Sequence, residues 1–95
     1  MSYKVPVVQR DDYTIYFQDI DGSTWVHCDV RNWSPAVARS LKRDADTVYG
    51  LHGGPVFALN EPAGCMKHRK FLGLMGFKFL KECESNSGPQ YIFKR

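Results

Sequence analysis

Three cysteines and three histidines are the side chains of widest chemical range in this 95-residue chain. Cys28, Cys65 and Cys83 are odd in number and widely spaced, which is no disulfide framework. A structural zinc site needs close pairs of ligands, and His27, His52 and His68 do not supply them. The reading is therefore small buried thiols in a reducing compartment, with no metal. His27 and Asp29 share one strand face with Trp25, and histidine titrates near neutral pH, so groups able to take a proton lie there. Asn60 follows an apolar run, where its amide suits either a ligand amide or a turn. Nucleic-acid binding would use Lys67, His68, Arg69, Lys70, Lys78, Lys81, Lys94 and Arg95, with Tyr91 or Phe93 stacking. A net charge of +3 is too mild for that reading and favours a solvated basic helix face. The charge is nevertheless uneven. Residues 1–60 hold 6 basic and 7 acidic side chains and residues 61–95 hold 7 and 3, so an anionic ligand is drawn toward the C-terminal third.

The elements that position these residues follow from changes of period. Residues 1–12 carry Val5, Val7 and Val8 broken by Pro6, an N-terminal arm or edge strand. Tyr13, Ile15 and Phe17 alternate with polar partners as a strand. Asp21-Gly22 suits a type I′ turn, and Thr24 to Val30 returns with Val26, Cys28 and Val30 on one face. Ser34 caps a helix that Pro35 enters, and Val37, Leu41, Ala45 and Val48 form its apolar stripe. Gly50 and then Gly53-Gly54-Pro55 stop it. Val56 to Leu59 reads as a buried strand, parallel to Thr24–Val30 across a right-handed crossover. A second helix runs from about Cys65 to Met75 with Met66, Phe71, Leu72 and Met75 toward the core, and Gly76 ends it. Phe77 to Cys83, a turn over residues 85–89, and Gln90 to Lys94 complete the order. The sum is β-β-α-β-α-β-β, an α/β (α+β) arrangement of a single mixed sheet with two helices. Its length implies one domain, its 43% apolar content excludes disorder, and no apolar run reaches the 18 residues of a membrane helix.

The segment Lys70-Phe71-Leu72-Gly73-Leu74-Met75-Gly76-Phe77, leading into a strand, resembles the late helix of GNAT-superfamily N-acetyltransferases. With His68-Arg69 ahead of it, it is most similar to small GNAT-like proteins encoded by bacteriophages. The resemblance spans residues 13–95 and implies a truncated GNAT-like domain lacking the N-terminal part of the fold. It also implies acetyl-CoA as cofactor, an amine or protein acceptor, and a cytoplasmic location, the host cytoplasm for a phage protein.

In that family a loop of Arg or Gln, two residues, Gly, one residue, then Gly or Ala wraps the pyrophosphate at a helix start. The matching positions are Arg31-Asn32-Trp33-Ser34-Pro35-Ala36, where Ser34 replaces the first glycine and Pro35 removes an N–H donor. The resemblance thus places Val30, Arg31, Ser34, Ala36, Asn60 and Phe71 along the cofactor. It makes His27 or Asp29 the base toward the acceptor and Asn60 a ligand-amide partner. Leu72 stands where many members have a tyrosine general acid. These departures define an alternative: a catalytically inactive GNAT-like binding module that engages a host or virion protein through exposed Trp25 and Trp33, with Tyr13 or Tyr16. Pairing of two chains through the edge left by the missing strands is a further expectation.

Overall fold

The computed structural model describes residues 3–60 and 64–95. In chain order these residues form β1 (Val5–Gln9), β2 (Tyr13–Ile20), β3 (Ser23–Val30), α1 (Pro35–His52), β4 (Val56–Leu59), α2 (Met66–Leu74), β5 (Lys78–Ser85) and β6 (Gly88–Lys94). The sheet has six strands in the order β1-β2-β3-β4-β6-β5. One mixed sheet with two helices is the class that the alternating periods predict. The chain divides into two compact units, residues 1–56 and 57–95.

In the first unit, β1, β2 and β3 are joined antiparallel, with Val5 opposite Phe17 and Phe17 opposite Val26. Asp21 and Gly22 both have positive φ, 51° and 83°, as the Asp-Gly pair predicts for this hairpin. Pro6 lacks an N–H and sits on the outermost strand, where the ladder slips between Pro6 and Val8. This bulge breaks the run of edge donors that pairing with another chain would need.

Helix α1 packs its Leu41, Ala45 and Tyr49 against β2, whose Tyr13 and Ile15 are fully covered. Burying Ile15 or Leu41 contributes about 2 kcal/mol each. The stripe at residues 41, 45 and 49 runs straight along the helix, and Val37 and Val48 flank it half-buried. Tyr49, absent from the predicted stripe, stacks on Phe17 at 6.1 Å. The predicted stop at Gly50 is corrected: the helix passes through it. An interior glycine costs only about 1 kcal/mol against alanine, and continuing places His52 edge-on to Phe17 at 5.5 Å. The helix ends where a left-handed residue can sit, at Gly53 with φ 75°, whose N–H donates to the Tyr49 carbonyl.

In the second unit, β6 lies between β4 and β5, antiparallel to both. Ala58, Leu72, Met75, Phe77 and Phe93 are buried there. α2 closes as its glycine predicts: Gly76 has φ 88°, its N–H donates to the Gly73 carbonyl, and Phe77 N–H donates to the Leu72 carbonyl. Two expectations fail. Met66 is 62% exposed rather than in the core, because it is the first residue of α2. The turn before β6 is only Asn86-Ser87, since Gly88 and Pro89 join β6 opposite Ser85 and Glu84, and the Ser85 hydroxyl donates to the Gly88 carbonyl at 2.7 Å. β5 bulges between Phe79 and Lys81 and carries Lys78, Lys81, Glu82 and Glu84.

Among the described residues no helix is long and apolar enough to cross a membrane. The three cysteines are unpaired and half-buried, and burial pushes the Cys28 thiol up to about 12, so it stays protonated at neutral pH.

Candidate functional site

The start of α1 is built by local capping. Ser34 has extended backbone and its hydroxyl accepts from the Val37 N–H at 3.1 Å. Its carbonyl accepts from the Ala38 N–H at 2.9 Å. Pro35 fills the first helical position, with no donor to leave bare. An anion here would therefore meet the Ala36 N–H, the Ser34 hydroxyl proton and the positive helix end. Trp33 stands beside it, 55% exposed.

Arg31 is a clamp on its own chain. Its guanidinium donates to the carbonyls of Asp11 and Arg10, to Thr14 Oγ1 at 3.1 Å and to Asp29 at 3.0 Å. The Arg31 and Asn32 N–H groups both donate to the Asp12 carbonyl, and the Asn32 side-chain amide donates to the Asp12 carboxylate. The residues leading into α1 are thereby tied to the turn before β2. Val30 pairs with Tyr13 across the hairpin. His27 Nε2 donates to Gln18 Oε1 at 2.8 Å, whereas Asp29 pairs with Arg31, so these two candidates answer to different partners.

A network unforeseen in the sequence joins β2 to α1. The Tyr13 hydroxyl donates to Asp44 and accepts from Ser40, and Arg10 donates twice to the Asp44 carboxylate at 3.0 and 3.1 Å. The Arg10 guanidinium, helped by the Tyr13 hydroxyl and opposed by partial burial, holds the Asp44 carboxyl below the usual carboxylate range. Burial, with the adjacent Asp44, pushes the Tyr13 phenol up. Asp44 lies between Leu41 and Ala45 of the buried stripe, and an acid at such a position needs partners, which is the signal that would have found it. Because its folded pKa is depressed, the unfolded chain binds more protons in acid. The stabilisation is complete above the ordinary aspartate value of about 4 and is lost as pH falls through the lower folded value. Urea melts across acid pH are expected to show a steeper loss for the native chain than for Asp44→Asn.

In the second unit Asn60 is the hub. It is 2% exposed and its amide is fully committed. Nδ2 donates to the Cys65 carbonyl at 3.2 Å and to His68 Nδ1 at 3.1 Å, while Oδ1 accepts from the Gly64 N–H at 3.0 Å and Arg69 Nε at 3.2 Å. Accepting at Nδ1 puts the proton of a neutral His68 ring on Nε2. Phe71 stacks on His68 at 6.1 Å, so the structure brings Asn60 and Phe71 to the same imidazole.

Arg69 then lays its guanidinium among three rings, 5.0 Å from Tyr91, 5.8 Å from Phe93 and 5.9 Å from Phe79. Phe93 is buried, Tyr91 half-buried, and the Arg69 cation lies against both rings. Leu72 is buried, and no group of three or more His, Cys, Asp and Glu side chains among the described residues is placed to hold a metal ion.

No protein-family model matches the sequence, and no curated protein does. Solved structures do share its fold. Aminoglycoside acetyltransferase AAC(6')-Ib in complex with coenzyme A and kanamycin superposes with a TM-score of 0.60 at 9% identity, covering 90% of this chain and 67% of that one. The same enzyme with coenzyme A alone gives 0.59 at 10% identity, covering 90% and 66%. Its complex with paromomycin and acetyl-CoA gives 0.58 at 9% identity, covering 90% and 65%. The chain spans about two thirds of their length. At these identities the likeness is one of fold: over 90% of its length the chain has the fold of these aminoglycoside acetyltransferase structures.

Proposed function

We propose that this protein binds acetyl-CoA and transfers the acetyl group to an amine. The observation that carries the reading is the superposition of 90% of the chain on an acetyltransferase solved with coenzyme A. The residues at the start of α1 fit a pyrophosphate in reduced form: the Ala36 N–H and the Ser34 hydroxyl are the two donors, backed by the helix dipole. Arg31 holds the loop rather than the anion in this reading, since four of its five side-chain N–H donors are spent on the chain. Bound acetyl-CoA supplies an activated thioester, and the chain's own share is positioning plus proton transfer. His27, hydrogen-bonded to Gln18, is the base toward the incoming amine in this reading, with Asp29 as the other candidate. Asn60 is a positioning residue, acting through Gly64, Cys65 and His68. In this reading residues 13–95 are the acetyltransferase domain and residues 1–12 its arm, and the protein is phage-encoded and works in the host cytoplasm.

A second reading rests on Trp33. A tryptophan 55% exposed beside a helix start poor in donors suits a catalytically inactive module that grips a host or virion protein. A melting experiment separates the two. Acetyl-CoA at a hundred times its dissociation constant stabilises by about 2.7 kcal/mol, roughly 10 °C or more in a domain of this size. The enzyme reading expects that shift with millimolar acetyl-CoA. No shift at saturation overturns it.

A further inference from the structure

Helix α1 covers only one end of the sheet face on which it packs. Along β2 the residues facing the helix run from fully buried Tyr13 and Ile15, through half-buried Phe17, to exposed Asp19. The helix stops at His52, edge-on to Phe17, and past that point Asp19 and Ile20 of β2 are exposed. A groove of about 500 Å³ lies there between Val5 and Val7 of β1, Phe17, His52 and the Asp19–Thr24 pair. That volume suits a small organic ligand. Its rim is apolar and uncovered, with Val5 56% and Val7 37% exposed.

Among the described residues Asp19 is the only carboxylate lining this trough. The Thr24 hydroxyl, directly across the hairpin, donates to it at 2.9 Å and fixes its direction. Among the described residues no lysine or arginine pairs with it, in contrast to Asp29, Asp44 and Asp46. An oriented carboxylate at the end of an aromatic and aliphatic channel lacks one thing, a cation with an apolar body.

We infer that this groove binds an organic ammonium ion of the arylalkylamine class. The ammonium sits at Asp19, and the hydrocarbon lies along Val5, Val7 and Phe17, whose ring face also attracts the charge. A neutral ligand would strip water from Asp19 and return nothing, and an anion would be repelled. The chain's net charge of +3 opposes non-specific cation binding, so selectivity for the ammonium has to come from the groove. The inference is independent of acetyl transfer, because none of its residues belongs to the start of α1.

The test is an amide-shift titration of the isotope-labelled protein without acetyl-CoA. The probes are phenethylammonium, its neutral isostere phenylethanol, and phenylacetate. Phenethylammonium is expected to shift Val5, Val7, Phe17 and Thr24 saturably and to bind about tenfold tighter than the alcohol, with phenylacetate inert. Asp19→Asn should bring the ammonium down to the alcohol's affinity. Should that change open the hairpin, Val7→Lys supplies a built-in cation on an exposed position and is expected to abolish ammonium binding in a folded protein. Equal binding of ammonium and alcohol, shifts outside the groove, or undiminished binding to Val7→Lys overturns the inference. Each of these results leaves the acetyl-CoA melting experiment unaffected, so the two readings fail separately.

Discussion

Asn60→Ala is expected to lower the stability of the protein by about 3 kcal/mol, because removing one buried amide takes away up to four hydrogen bonds. Gly64 N–H and the Cys65 carbonyl lose their side-chain partner, and His68 loses the donor that fixes its tautomer. Arg69 is cushioned, since its guanidinium keeps three rings around it. Solvent reaches the partners in part, which holds the total below the sum of four full penalties. In a domain of this size the change corresponds to a fall of roughly 12–20 °C in Tm, read by circular dichroism and checked by urea denaturation. A loss below about 1 kcal/mol, the net worth of one ordinary hydrogen bond, would show that water replaces the amide and that Asn60 is not the hub. The same variant separates architecture from chemistry. A folded Asn60→Ala protein that still binds acetyl-CoA at native affinity would remove Asn60 from the cofactor's contacts.

Pro35→Ala is expected to tighten coenzyme A binding at least fivefold, following the proposed pyrophosphate position. The native helix start offers an anion the Ala36 N–H and the Ser34 hydroxyl, because Val37 and Ala38 donate to Ser34 and Pro35 has no donor. Alanine at the first helical position adds a third donor at the positive end of α1. A hydrogen bond to a charged group contributes about 1.5–3 kcal/mol, discounted here for solvent at the exposed helix start. The helix itself loses little, since alanine is the best helix former and the Ser34 cap is untouched. Calorimetric titration of both proteins gives the ratio. Unchanged affinity would mean that the pyrophosphate does not lie at this helix start.

Features governed by short-range rules were legible in the sequence. Asp21-Gly22 demanded positive φ at two successive residues, Ser34-Pro35 spelled out a capped helix entry, and Gly76 supplied a left-handed stop; all three sit as expected. The alternation of Tyr13, Ile15 and Phe17 placed β2 because period two is insensitive to what the strand packs against. Competition between local and tertiary terms was less legible. Gly50 carries a local stop signal, but the packing of Tyr49 and His52 on Phe17 outweighs it. The Asn86-Ser87 turn was obscured by Gly88 and Pro89, which look like turn residues and serve in β6.

Of the candidate site, Ser34 was readable as a cap, and Arg31 was readable as a cation but not as a clamp. Its partners at residues 10, 11 and 14 come from far along the chain. Asp44 went unseen, and Arg69 was readable as a cation but not as a partner of rings, for the same reason. Each is defined by groups distant in sequence, Tyr13 and Arg10 for the acid, Tyr91 and Phe93 for the base.

The two margins of the strand order bear on colloidal behaviour. At one, a proline and a slipped register interrupt the backbone template; at the other, a second slip accompanies two lysines and two glutamates on an eight-residue strand. Fibril growth by stacking copy upon copy needs long, flat, uncharged borders. Neither border meets that need, so concentrated solutions of the folded protein should resist seeding by their own strands even though Phe79 and Leu80 lie in the open.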